Sequence, residues 1–180
     1  MARIRKEVIS LHYGDNKPKY IRWAIFASLL IASVVLQNSI GGLSEIFSAR
    51  VFLCIPFLVA VSMFEREVPA AVFGVLAGAL WDVSSGVDGF NTITLMASGA
   101  ICSLLISHLM RNNLVTALVL GAGAIAAYEI IYVAVRFWGA GSPIRQIFTF
   151  YLPSFIITVL FVPICYFIVK SIYDSYKVAE

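Results

Sequence analysis

Six runs of apolar residues, joined by connections too short to fold on their own, constrain this chain more than any other feature. The first runs from about Ile21 to Ile40, the second from Val51 to Phe64 and the third from Val68 to Val83. The fourth covers Thr92 to Leu109, the fifth Leu114 to Phe137 and the sixth Phe148 to Ile172. A helix that crosses the hydrocarbon of a bilayer needs about 20 apolar residues. The second and third runs fall short of that, and the link Glu65-Arg66-Glu67-Val68-Pro69 between them cannot carry the chain far from the bilayer. They read as a tight hairpin, or as segments that do not fully cross. The expectation is an all-α integral membrane protein with six transmembrane helices; five is the alternative count.

Composition supports lipid as the solvent. Of the 180 residues 61% are hydrophobic and 13% charged, against about 25% charged in soluble domains. This length suits one domain. No cleavable leader is expected, because the basic N-terminal stretch is followed by a full-length apolar run. The three cysteines, Cys54, Cys102 and Cys165, all lie in apolar runs. Their odd number and wide spacing suggest neither a disulfide framework nor a metal site, and they read as small buried hydrophobes.

Residues 1–20 read as a basic cytoplasmic tail, residues 21–172 as the membrane domain and residues 173–180 as a second short tail. The N-terminal tail is either disordered or a short amphipathic helix on anionic head groups. The net charge of +3 concerns topology, not nucleic acid. With the N-terminus inside, Arg3, Arg5, Lys6, Lys17, Lys19, Arg22, Arg66, Arg111, Lys170 and Lys177 fall on the cytoplasmic side. Only Arg50, Arg136 and Arg145 fall outside. That asymmetry is the positive-inside pattern, and an even number of spans returns the C-terminus to the cytoplasm.

The stretch GVLAGALWDVSSGVDGFN, from Gly74 to Asn91, stands out. Gly74, Gly78 and Asp82 recur every four residues and so share one helix face, and Ala70 extends the line one turn earlier. Small residues let a second helix approach closely in lipid. A carboxylate on the same line must face protein or water, because it costs on the order of 3 kcal/mol in hydrocarbon; at a span end Asp82 can also simply face solvent. Ser84, Ser85, Gly86, Asp88 and Gly89 then form a tight turn, and Asn91 is a candidate cap for the next helix.

Glu129 is the second candidate, an acid inside the fifth run with Tyr132 and Arg136 on the same face. An intramembrane acid is functional or is a structural group tied to a partner helix; Tyr132 is placed to donate to it. His108 and Arg111 read as an interfacial helix end. Trp23, Trp81 and Trp138 read as interfacial anchors, and Glu65, Arg66 and Glu67 as a solvated turn. Ala24, Ser28 and Ala32 form another small-residue line, a second possible helix–helix seam. No nucleophile with a neighbouring base, no metal-ligand spacing, no P-loop and no dinucleotide fingerprint is present. The chain reads as a non-enzyme with no cofactor, a bundle that binds something.

The run of Gly74, Gly78 and Asp82, followed by Ser85-Gly86 and Gly89 before the next apolar helix, resembles the MreD family of bacterial rod-shape-determining membrane proteins. The resemblance extends over nearly the whole chain: a short basic N-terminus, six spans with small loops, Pro163 in the last span, and Lys170 and Lys177 at the C-terminal end. One departure is that Arg50 is followed by Val51 where members often carry proline; the nearest proline is Pro56. The resemblance implies a non-catalytic scaffold or regulator of cell elongation and lateral peptidoglycan synthesis in the bacterial cytoplasmic membrane. It implies binding to an MreC-like bitopic protein and, through it, to MreB filaments, RodA and a class B penicillin-binding protein. On this reading Gly74, Gly78, Asp82, Ser85, Gly86 and Gly89 form a partner surface or its structural support.

The implied fold is also similar to the substrate-binding S components of energy-coupling-factor vitamin transporters. That supplies the rival reading, in which Trp81, Asp82, Asp88, Asn91 and Glu129 line an outer-half pocket. In either case the partners include membrane lipids and exclude nucleic acid.

Overall fold

The structure is a computed structural model that describes residues 17–39, 51–86, 89–136 and 151–176. They form six helices: α1 (Lys17–Ser39), α2 (Cys54–Ser62), α3 (Glu67–Ser85), α4 (Phe90–His108), α5 (Leu114–Arg136) and α6 (Leu152–Ser175). All but α2 are long and apolar enough to cross a membrane, which makes five such helices among the described residues. The bulk of each faces outward: between 28% and 39% of the most apolar stretch of each helix is buried inside the protein. Val68, Val83, Ile93, Leu109, Val115, Ile130 and Leu160 all point away from the core. An apolar surface of that extent is consistent with a multi-pass membrane protein whose outward faces meet lipid.

The second apolar run behaves differently from the other five. Its helix, α2, has nine residues and rises only about 13 Å. The run is apolar all round, and a helix of that kind is stable where it is wrapped on every side. Accordingly Cys54, Ile55, Leu58, Val59, Ala60 and Val61 are all buried, with α1, α3, α4, α5 and α6 packed around them. Side chains from its neighbours pin its start. Phe52 N donates to Thr158 Oγ1 of α6 at 3.2 Å, and Cys54 N donates to Gln37 Oε1 of α1 at 3.1 Å. Its far end is held where Asn112 Nδ2 donates to Met63 O at 3.0 Å. The segment 51–65 therefore runs from the level of Gln37 to the level of Arg22, about 22 Å of rise along α1, with a helix in its middle and non-helical ends.

Two ends of the bundle follow. The basic end gathers Lys19, Arg22, Trp23, Glu65, Arg66, Arg111, Lys170 and Tyr173. The distal end gathers Asn38, Phe52, Trp81, Ser84, Asn91, Tyr128 and Tyr151, where Asn38 Nδ2 donates to Ser84 Oγ at 2.6 Å and ties α1 to α3. The start of α1 and the end of α6 meet at the basic end, with the Arg22 guanidinium 4.6 Å from the centre of the Tyr173 ring. The two terminal tails up to residue 16 and from residue 177, together with Arg50, Asp88, Trp138 and Arg145, lie outside the described residues.

The polar link after α2 is not a solvated turn. Glu65 is 8% exposed and Arg22 7%, with Arg22 Nη2 at 2.9 Å from Glu65 Oε1. That contact is a close charge pair lying off the hydrogen-bonding direction, since Oε1 takes no aligned hydrogen bond. The Trp23 indole N–H donates to Glu65 Oε2 at 3.0 Å, and Ser103 Oγ donates to Glu65 O at 2.7 Å. Glu65 thus draws α1 and α4 onto the turn between α2 and α3. Only the next residue, Arg66, is exposed as expected. The three cysteines are free and buried.

Candidate functional site

The line of small residues on α3 is covered by α4. A Cβ on Gly74 would lie 2.5 Å from Leu95 O, and one on Gly78 would lie 2.4 Å from Thr92 Cα. Gly99 completes the seam from the other side, where a Cβ would lie 2.7 Å from Ala70 O. Residues 70 with 99, 74 with 95 and 78 with 92 keep one antiparallel register over about two helical turns. Helix backbones in direct contact leave no room for any side chain, and in lipid such packing replaces the missing hydrophobic drive between helices.

Asp82 ends this seam. It is 7% exposed. Its Oδ1 accepts the backbone N–H of Asn91 at 3.0 Å; its Oδ2 accepts the backbone N–H of Thr92 at 2.8 Å and the Thr92 hydroxyl at 2.6 Å. The first N–H groups of a helix have no partner within it. Asp82 therefore does for α4 what a capping side chain normally does, from the last turn of the preceding helix. Its charge also suits the positive end of the helix dipole. Asn91 is not the cap: it lies within the first turn of α4, and its Oδ1 accepts the Tyr128 hydroxyl of α5 at 2.7 Å.

The turn between them is shaped by two glycines in the left-handed region. Gly86 (φ 64°) closes α3, its N–H donating to Asp82 O, and Gly89 (φ 72°) opens α4. Other residues adopt that conformation at a cost. Ser85 and Gly86 are exposed and Gly89 half-buried, so these turn residues stand apart from the buried seam they close.

Trp81 is not an interfacial anchor; it is 2% exposed. Its ring stacks on Tyr128 (centres 5.4 Å apart, planes at 22°), and Phe52 packs on both at 5.6 and 5.5 Å. The aromatic wall continues through Phe90, Tyr132 and Tyr151. Trp81, Asp82 and Asn91 are thus brought together as expected of a pocket lining, but as packed and internally bonded groups. Glu129 differs. It is 9% exposed, and its Oε1 takes no hydrogen bond.

On α1, Ala24, Ser28 and Ala32 face outward. The Ser28 hydroxyl donates to Ala24 O at 2.8 Å, so the line offers no unmet polar group. A shallow groove lined by Ser28, Ile31, Ala32, Val35, Leu36 and Ser39 runs along this face. Among the described residues no three of His, Cys, Asp or Glu gather as metal ligands.

Sequence reasoning passed over Gly99, Gln37, Thr158 and the Arg22–Glu65 pair. A signal existed for Gly99, which shares a face with Leu95 and Ser103 at four-residue spacing. The others are joined only through contacts distant in sequence. The chain matches no family model, no curated protein and no solved structure.

Proposed function

We propose that this protein is a non-catalytic scaffold of the bacterial cell-elongation machinery. It sits in the cytoplasmic membrane, crosses it six times with both termini inside, and binds a single-span MreC-like partner. Through that partner it acts with MreB filaments, RodA and a class B penicillin-binding protein. The observation that carries the reading is the division of labour between two small-residue lines. The α3 line is spent on α4, within the chain. The α1 line faces lipid beside a groove, with its serine hydroxyl satisfied. Such a surface suits a lone transmembrane helix, because close backbone approach favours a helix over lipid tails. The path of segment 51–65 between the two ends of the bundle supports counting α2 as a crossing, and the lysines and arginines at one end support that end as cytoplasmic.

The internal bonding of Trp81, Asp82 and Asn91 weighs against the transporter reading, in which they would meet a vitamin-sized ligand. Co-purification of the single-span partner with Ala32→Phe and with Ser28→Leu tests the proposal. Both variants should accumulate in the membrane at wild-type levels and lose the partner. Undiminished capture by both would sink it.

A further inference from the structure

We propose that Glu129 is the anionic half of a binding site for a small organic cation of the alkylammonium type, at the distal end of α5 and α6. Three observations converge there. First, the Glu129 side chain is buried, yet one carboxylate oxygen accepts no hydrogen bond. Among the described residues the other two buried acids have partners: Asp82 accepts from three donors on α4, and Glu65 pairs with the Arg22 guanidinium and accepts from Trp23. A buried acceptor without a donor is costly, and proteins keep such groups where something else supplies the donor.

Second, the surroundings have the chemistry that attracts an ammonium group. Tyr132 follows one turn after Glu129 on the same face of α5. Its ring centre is 6.1 Å from Tyr128, 5.8 Å from Phe90 and 6.5 Å from Tyr151. Tyr151, at the start of α6, carries the cluster from α5 onto α6 through that contact with Tyr132. Aromatic faces beside a carboxylate are how proteins recognise organic cations: the rings offer negative faces, and the acid offers a charge and an acceptor.

Third, Lys19, Arg22, Arg66, Arg111 and Lys170 lie at the opposite, basic end, away from the acid. Phe90 and Tyr132 are half-buried, so this edge of the aromatic cluster reaches the surface of the bundle. A small ligand fits this position better than a partner's helix, because Glu129 is turned into the bundle while the exposed residues of α5, such as Ile130 and Ile131, face lipid.

The inference is independent of the scaffold reading, which runs through α1. It is tested on the full-length protein purified in neutral detergent, with n-butylammonium as the probe and n-butanol as its uncharged counterpart, by equilibrium binding. Saturable binding of butylammonium is expected, with none of butanol. Glu129→Gln keeps the shape and removes the charge; it should weaken binding by about tenfold to a hundredfold. Tyr132→Leu should weaken it by about two- to fivefold. Capture of the single-span partner should be unchanged in both variants, so the two proposals fail separately. Absence of saturable butylammonium binding overturns the inference, as does equal binding by Glu129→Gln or by butanol.

Discussion

Asp82 and Thr92 are bonded twice: the backbone N–H and the hydroxyl of Thr92 both donate to Asp82 Oδ2, at 2.8 and 2.6 Å. An acid in the last turn of one helix thereby caps the first turn of the next. The glycine seam below it brings the two backbones together, and the carboxylate meets the N–H groups that this approach would otherwise leave buried and unpaired. Seam and cap are one device, since neither works at the wider spacing that ordinary side chains impose.

Replacing Asp82 by Ala removes three hydrogen bonds and strands two N–H groups at the start of α4. The expected loss of stability is about 2–4 kcal/mol, read as a lower unfolding midpoint in detergent. Asp82→Asn keeps one acceptor oxygen without the charge and should fall between the two. A midpoint unchanged in Asp82→Ala would mean that the cap contributes nothing.

The seam predicts sharply different responses to the same chemical change. In Gly78→Ala the new methyl would overlap the Thr92 backbone, which cannot move like a side-chain tip. Spreading the α3–α4 pair should cost about 1–3 kcal/mol. In Gly123→Ala nothing lies within 4 Å of the added carbon, and the helix gains up to about 1 kcal/mol from alanine's propensity. Unfolding midpoints of the two variants should therefore move in opposite directions.

At the basic end the buried pair of Arg22 and Glu65 should behave as a unit. Removing one partner, as in Arg22→Met or Glu65→Met, leaves the other's charge uncompensated, at about 3–5 kcal/mol. The double variant Arg22→Met with Glu65→Met should recover much of that loss, because it removes the desolvated charges together. A double-mutant cycle on unfolding midpoints measures the coupling. Additive losses would show that the two groups do not depend on each other.

What could be read from the chain in advance divides along physical lines. The line of Gly74, Gly78 and Asp82 was legible, because four-residue spacing places residues on one face whatever the tertiary fold. What the line packs against was not: the contacts with Leu95 and Thr92 are backbone contacts, and backbone carries no sequence signal. Glu65 was misread because its neighbours are polar and its partner lies on another helix. Local composition says solvent, while Arg22 and Trp23 supply the bonds that permit burial. The short helix α2 was hidden for the opposite reason. The run from Val51 to Phe64 is evenly apolar, so nothing marks where a helix held by Gln37, Thr158 and Asn112 should begin and end. The reading of Trp81 followed its place near a span end, but its stacking on Tyr128 is a tertiary fact.

The path of that short segment yields the last prediction. If segment 51–65 crosses the membrane, residues at its two ends must meet opposite solvents, although α2 alone is too short to span. Alanine at Cys54, Cys102 and Cys165, all buried and free, gives a background for single cysteines at exposed positions. Ser39→Cys and Ser85→Cys, at the distal ends of α1 and α3, should react with a membrane-impermeant maleimide applied to intact spheroplasts. Arg66→Cys and Asn113→Cys, at the basic end, should react only after permeabilisation. Labelling of Arg66→Cys from outside would mean that the chain does not return between α1 and α3, and the crossing number would fall to five. Labelling of the basic-end positions from outside, with protection of the distal ones, would reverse the orientation that the lysines and arginines favour.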